Sequence, residues 1–137
     1  MAEGDISRLK TDLEGRLLVN LGHPNRFLAT AINSTATALT QIQAAPGASL
    51  SLYVTSVTFS ATVASTTTAD QYPVLKYGTG ANCGTGTTVL WAAFTSANGG
   101  VTSTFADPIK LPANNALCYM HAVAGNKHVV VQGYTAP

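Results

Sequence analysis

The chain has 137 residues, only 9% of them charged, and a formal net charge of +1 at pH 7. This length predicts one domain with a core of its own, and the near-zero charge provides no long-range field to attract nucleic acid. No apolar run approaches the roughly 18 residues that would span a bilayer. We therefore expect neither a nucleic-acid partner nor a membrane partner.

Charge is concentrated at the start of the chain. Eight of the thirteen charged side chains lie within residues 1–26, and residues 27–137 rely on Thr, Ser, Asn and Gln for solubility instead. A typical soluble domain carries about 25% charged residues, spread over its surface. We therefore interpret residues 1–26 as an N-terminal arm and residues 27–137 as a body whose surface contacts copies of itself or a partner.

The arm has two interpretations. One is a short helix that Asp5 caps, with Ile6, Leu9 and Leu13 on one face. The other is an extended arm with a strand over residues 16–21 and a turn over residues 22–25. Because the chain begins with acidic and polar residues, without the apolar stretch of a secretion signal, we expect synthesis in a cytosol. Four basic side chains of the arm are the candidate partner contacts: Arg8, Lys10, Arg16 and Arg26.

The body has the two-residue hydrophobic period of β-strands. The alternation runs over residues 50–54 and resumes on the opposite parity over residues 57–63. The phase slip near Thr55 and Ser56 predicts either a β-bulge or a strand that bends from one sheet into another. Turn sequences, Asp107-Pro108 among them, separate the strands. We expect an all-β fold, an antiparallel β-sandwich or jelly roll of about eight strands. The further predicted strands cover residues 38–43, 72–77, 87–94, 101–105, 117–123 and 127–134.

Cys83 and Cys118 lack the CxxC spacing of a structural zinc site. A zinc site formed by both cysteines with His121 and His128 is also disfavoured. Cys118 and His121 are three residues apart in a predicted strand, so their side chains would point to opposite faces. We interpret the cysteines as two small apolar residues, with a disulfide as the alternative. Replacing both with Ser should then leave the melting temperature nearly unchanged, and we expect no metal.

No constellation for catalysis is evident. The glycine-rich residues 78–86 lack the Gly-Lys-Ser/Thr of a phosphate loop and predict an inter-strand loop. The two carboxylates of the body, Asp70 and Asp107, lie far apart in turn-like sequence, whereas acid–base chemistry needs a positioned pair or a nucleophile with its base. We therefore expect neither an enzyme, such as a small hydrolase, nor a cofactor.

Aromatic residues at strand spacing are typical of a core or a subunit interface, but they also stack on sugar rings. Tyr72 and Trp91 lie near predicted loops. They are the candidate contacts if the body is a glycan-binding module.

Three segments resemble small β-sandwich virion proteins of tailed bacteriophages, of the capsid decoration (cement) or fibre-tip kind. The segments are residues 74–88 (VLKYGTGANCGTGTT), 111–118 (LPANNALC) and 129–134 (VVVQGY), and the resemblance extends from about residue 40 to the end. It implies a body that binds a capsid or tail lattice, usually as a trimer, with an N-terminal arm that anchors it to its neighbours.

We therefore expect a capsid decoration protein that is made in the host cytoplasm and lies on the capsid surface of the virion. Its expected partners are its own copies, in a homotrimer, and the major capsid protein. The alternative is a receptor- or glycan-binding domain of a tail fibre or adhesin.

Overall fold

The computed structural model describes residues 25–33, 38–62, 72–96, 98–121 and 126–137. The predicted helix or strand of the arm lies outside the described residues, as do Arg8, Lys10 and Arg16. Within the described residues the fold is all β, and the one helical element is a short 3-10 turn, Ala81–Cys83. The eight strands are β1 (Arg26–Asn33), β2 (Thr40–Gln43), β3 (Ser51–Thr62), β4 (Pro73–Thr79), β5 (Thr85–Ala92), β6 (Gly100–Lys110), β7 (Ala116–His121) and β8 (Asn126–Ala136).

The strands form two antiparallel sheets of four strands each. The first sheet has the order β1-β8-β3-β6, and the second has the order β2-β7-β4-β5. In four of the strand pairs the strand numbers add to nine. These pairs are β1–β8, β2–β7, β3–β6 and β4–β5. The predicted β-sandwich of about eight strands is confirmed.

The longest strand, β3, shows how the hydrophobic period builds the core. Leu52 and Val54 are completely buried, and so are Val57 and Phe59 on the other parity. A register shift between Val54 and Ser56 turns the strand, so that both halves point their apolar side chains inward. The predicted bulge is confirmed. Full burial of one such side chain stabilises the fold by about 1.5–3 kcal/mol.

The two sheets meet in one core. The rings of Phe59 on β3 and Tyr119 on β7 have centroids 6.4 Å apart, across the interface between the sheets. At the other side of the sandwich, the Trp91 Nε1–H of β5 donates a hydrogen bond to Ser103 Oγ of β6 over 3.2 Å. Apolar packing and one polar contact therefore join the layers.

Strand β1 was not among the predicted strands, and it begins at Arg26, which we had assigned to the arm. Its inward residue Phe27 packs over Gly133 of β8. A Cβ at Gly133 would lie 2.6 Å from Phe27 Cζ and 2.1 Å from the carbonyl oxygen of Tyr53. Glycine is therefore required there, because any side chain would clash with the backbone of β3 and with the Phe27 ring of β1.

The predicted turn at Asp107-Pro108 is wrong, because both residues belong to β6. Between the pairs Val54–Ile109 and Ser56–Thr104, one residue of β3 faces four residues of β6. Proline is tolerated at such an irregularity and on an edge strand, where its missing N–H breaks no ladder hydrogen bond. Pro108 therefore lies at an irregularity of the edge strand β6, and the chain does not reverse there.

The interpretation of the cysteines as free residues is also wrong, because Cys83 and Cys118 form a disulfide with a Cα–Cα distance of 6.2 Å. The bridge joins the loop between β4 and β5 to β7, and it packs with Ala116 and Leu39 in a small apolar cluster. Cys83 has a φ of +55°, which few residues other than glycine adopt. The side chain of the adjacent Asn82 accepts a hydrogen bond from Gln41 N–H, which further fixes this loop to β2.

We now expect the disulfide to matter for stability. It closes a loop with a sequence separation of 35 residues, and such a bridge stabilises a fold by roughly 2–4 kcal/mol through the unfolded state. Replacing Cys83 and Cys118 with Ala should lower the melting temperature by on the order of 10 °C. Scanning calorimetry measures this, and reduction of the unmodified protein should reproduce it. A change of only a few degrees would return the pair to the role of two apolar residues.

Candidate interaction face

The outward side chains of the first sheet form a regular face, here called the outer face. Its two middle rows hold only neutral side chains, and each row crosses all four strands. One row is Leu28, Gln132, Ser56 and Thr104, and the other is Thr30, Val130, Thr58 and Thr102. The hydroxyls of Thr58 and Thr102 lie 3.2 Å apart and share a hydrogen bond. The middle of the outer face is therefore an uncharged surface, rich in hydroxyl groups.

The two cations of the outer face, Arg26 and Lys110, lie at one end of it. There the row across the strands reads Arg26, Tyr134, Tyr53, Lys110. The two tyrosine rings stack with centroids 4.9 Å apart and an interplanar angle of 7°. Lys110 Nζ lies 5.3 Å from the centroid of the Tyr53 ring, which is within the range of a cation–π contact. Both Tyr53 and Lys110 also donate hydrogen bonds to the Pro137 oxygen, over 2.9 and 3.3 Å.

An open depression of about 610 Å³ lies beside this row. Arg26, Leu28, Gln132 and Tyr134 line it, together with Thr55 from the bulge of β3. Thr55 Oγ1–H donates to the Gln132 carbonyl oxygen over 3.0 Å, which fixes the bulge against β8. Arg26, predicted as a partner contact of the arm, therefore lies at the rim of the depression, on the outer face.

Strand β1 is the least protected sheet edge in the described part of the chain. Its register with β8 is continuous from Arg26 to Asn33, and Arg26 is its only charged residue. By contrast, β2 has four residues, β6 is bulged at Pro108, and β5 pairs with β4 through two register shifts. Two outward residues of β1 are strongly exposed, Leu28 at 63% and Ile32 at 79%. A long, regular, apolar edge is typical of an interaction site, because natural proteins otherwise block such edges.

The two candidate glycan contacts lie in different surroundings. Trp91 is half-buried against the core, and its N–H is bonded to Ser103. Tyr72 is 38% exposed and makes an edge-on contact with Phe94, with ring centroids 4.5 Å apart. Phe94, which is 72% exposed, was not singled out from the sequence. The exposed aromatic pair is therefore Tyr72 with Phe94, whereas Trp91 packs against the core and is only half-exposed.

Three polar side chains point into the core at the end of β7 and the start of β8: Tyr119, His121 and Lys127. The Tyr119 and His121 rings have centroids 5.5 Å apart. Burial, and then the positive charge of Lys127, lower the pKa of His121, while burial alone lowers the pKa of Lys127. Burial also raises the pKa of Tyr119. The sequence had indicated His121 only as part of a disfavoured zinc set.

The described residues contain no group of three His, Cys, Asp or Glu side chains that could hold a metal ion. No helix in the described part of the chain is long and apolar enough to cross a membrane. Neither a protein-family model, nor a curated protein, nor a solved structure matches this chain.

The buried His121 should make stability depend on pH. Below its ordinary pKa of 6.5, the unfolded chain binds a proton that the folded protein does not bind until its own, lower pKa is reached. The free energy of unfolding should therefore fall as the pH decreases from about 6.5. His121→Phe should flatten this decrease, because it removes the group that binds the proton. Urea denaturation in chloride buffers from about pH 7.5 to about pH 5 measures the effect. Equal slopes for the unmodified protein and the variant would contradict this role of His121.

Proposed function

We propose that this chain is a capsid decoration protein of a tailed bacteriophage, which associates as a homotrimer and binds the major capsid protein of the head shell. The observation that carries the proposal is the neutral middle of the outer face together with the exposed edge strand β1. Such a face meets a copy of itself without like-charge repulsion, and its burial strips water from no ion. Exposed Leu28 and Ile32 add apolar area to that contact.

The strand order supports the same function. We infer a jelly roll from the strand pairs whose numbers add to nine. Such pairs arise when one long antiparallel hairpin of eight strands rolls up on itself. Jelly rolls of eight strands in two sheets occur in viral capsid proteins. The resemblance of residues 74–88, 111–118 and 129–134 to phage virion proteins points in the same direction.

The disulfide is also compatible with a particle that leaves the cell. Disulfides persist in oxidising surroundings and are rare in a cytosol, where thiols are kept reduced. A chain made in a host cytoplasm and released on a virion would form the Cys83–Cys118 bridge in the external medium. A protein that stayed in a cytosol would be expected to keep both thiols reduced. Location on the virion surface would therefore explain why the bridge forms.

A receptor- or glycan-binding domain of a tail fibre or adhesin is the second candidate. The exposed Tyr72–Phe94 pair favours it, because an exposed ring offers a stacking face for a sugar. A glycan array probed with the purified protein separates the two functions. Selective sugar binding that Phe94→Ala abolishes would support the second candidate, and no selective binding supports decoration.

Self-association through β1 has a direct test. The double substitution Leu28→Lys and Ile32→Lys places two cations on the exposed edge, and these would have to be desolvated in any contact between copies. Light scattering should give three times the 14.1 kDa monomer mass for the unmodified protein and a lower mass for the double variant. Val89→Lys is the matched control, since Val89 is 55% exposed on the second sheet. Equal masses for all three proteins would exclude β1 as the contact.

Binding to the shell has a separate test in the arm. Full-length protein with Arg8→Gln, Lys10→Gln and Arg16→Gln should bind shells stripped of this chain more weakly, and with less dependence on salt, than the unmodified protein. Lys76→Gln, on β4 of the second sheet, is the control with one charge removed from the body. Affinity and salt dependence come from co-sedimentation with the shells. Unchanged binding by the triple variant would exclude the arm as the anchor, and particles without this chain on the shell would exclude decoration itself.

A further inference from the structure

The free edge of β1 carries backbone groups that no described strand pairs. The Thr135 N–H donates a hydrogen bond to the Asn25 carbonyl oxygen over 3.0 Å, which continues the β1–β8 register by one pair. Along an antiparallel ladder, pairs that exchange hydrogen bonds alternate with pairs that do not. Every second residue counted from Asn25 therefore bonds to β8, and the residues between them direct their N–H and C=O groups away from the sheet. These residues are Arg26, Leu28, Thr30 and Ile32.

The opposite edge of the same sheet follows the same pattern. Strand β6 is the last in the order β1-β8-β3-β6. The Ala61 N–H donates to the Gly99 carbonyl oxygen over 2.8 Å, which continues the regular part of the β3–β6 register by one pair. The bulge of β6 at Pro108 lies outside this regular part. The residues of β6 that direct their backbone groups to the free edge are therefore Gly100, Thr102 and Thr104.

The two edges match in level and direction. The rows of the sheet contain three level pairs of edge residues: Leu28 with Thr104, Thr30 with Thr102, and Ile32 with Gly100. Each strand of the sheet is antiparallel to its neighbour, so β1 and β6 also run in opposite directions. A rotation about an axis parallel to the strands changes neither level nor direction. Strand β1 of one copy can therefore pair with β6 of a second copy through the free backbone groups of both edges.

The charges at the two edges are complementary. Arg26 is the only charged residue of β1, and Asp107, in β6, is the only carboxylate side chain among the described residues. Both are exposed, and neither has an ion-pair partner in the described part of the chain. They lie at the same end of the sheet, because Arg26 shares a row with Lys110, three residues after Asp107. Within one copy they are three strand spacings apart, about 14 Å, and cannot pair there.

We propose that the homotrimer closes head to tail. In this contact β1 of each copy pairs with residues 100–104 of β6 in the next copy, and Arg26 forms an ion pair with Asp107 of that next copy. A contact between two different edges closes into a ring, whereas pairing of β1 with β1 would stop at two copies. Along the ladder only neutral residues meet, and the ion pair lies at its end. This inference rests on the homotrimer proposed above and names its contact.

The test is the mass of the full-length protein, measured by sedimentation equilibrium on charge-reversed variants. Arg26→Glu and Asp107→Arg each place like charges across the contact. Each should raise the concentration at which the trimer half-dissociates by at least about tenfold. The chain with both substitutions restores the ion pair between copies and should return this concentration to that of the unmodified protein. Lys76→Glu, on β4 of the second sheet, reverses the same charge away from the contact and should not change it.

The outcomes separate the contact from the function on which it rests. If both single variants remain as trimeric as the unmodified protein, or if the double variant does not recover, the contact is wrong and the homotrimer stands. An unmodified protein that is a dimer indicates pairing of β1 with β1, and a monomer indicates no self-association. Either mass would overturn the homotrimer and the contact together.

A cross-link covers the case in which a charge-reversed variant does not fold. A carbodiimide joins an amine to a carboxylate without a spacer, so in Arg26→Lys it should link position 26 to Asp107. Because the two positions are about 14 Å apart within one copy, such a link joins two copies. Mass spectrometry of the digested protein detects the linked peptides. Their absence would overturn the proposal.

Discussion

The pairing of β3 with β8 is the interaction on which the rest of the structure depends. The two strands stay in register along nearly their whole length, from the pair Ser51–Ala136 to the pair Thr62–Asn126. Between these ends the bulge at Thr55 moves β3 by one position. Without that shift, one half of the strand would turn its apolar side chains to solvent, because strand side chains alternate strictly between the two faces. The bulge therefore allows one long strand to bury Leu52 and Phe59 in the same core.

The same pairing positions side chains on both faces of the first sheet. On the outside it aligns Tyr53 with Tyr134, and it sets the neutral residues of β1, β8, β3 and β6 in rows. On the inside it puts Lys127 opposite Ala61, whose small side chain leaves room for the long lysine beside His121. A single ladder thus aligns the neutral rows of the outer face and, at one end of the sandwich, positions the buried Lys127. The two features differ because alternate residues of the same strands face water and core.

Charged and neutral polar side chains are distributed differently here than in an ordinary soluble domain. Charged side chains are sparse on the described surface, where hydroxyl and amide groups replace them, while one lysine and one histidine are buried. A surface with little charge has little to oppose contact with its neighbours, whereas a buried polar group without a hydrogen-bond partner costs stability. The assembly proposed for the outer face rests on the first of these two features. The disulfide lies on the second sheet, away from that face.

The sequence by itself determined the fold class and most of the strands, because side-chain alternation is a local property that survives without knowledge of the partner strand. It even located the bulge, since a phase slip at Thr55 is visible in one strand alone. It did not reveal β1, where Ala29 and Ala31 give a weak hydrophobic signal, or the continuation of β6 through Asp107-Pro108. Less of the candidate face could be predicted: Arg26 was among the residues singled out from the sequence, but Leu28, Ile32 and Phe94 were not.

Only the tertiary structure decided what depends on residues far apart in the chain. How the two sheets are ordered and stacked determines four features: the pairing of Cys83 with Cys118, the rows of the outer face, the packing of Trp91 against the core and the proximity of His121 to Lys127. Alternation tells which face of a strand is buried, but it carries no information about which strand lies beside it. That choice is made by the closure of the whole sandwich, in which every strand must find a partner at once.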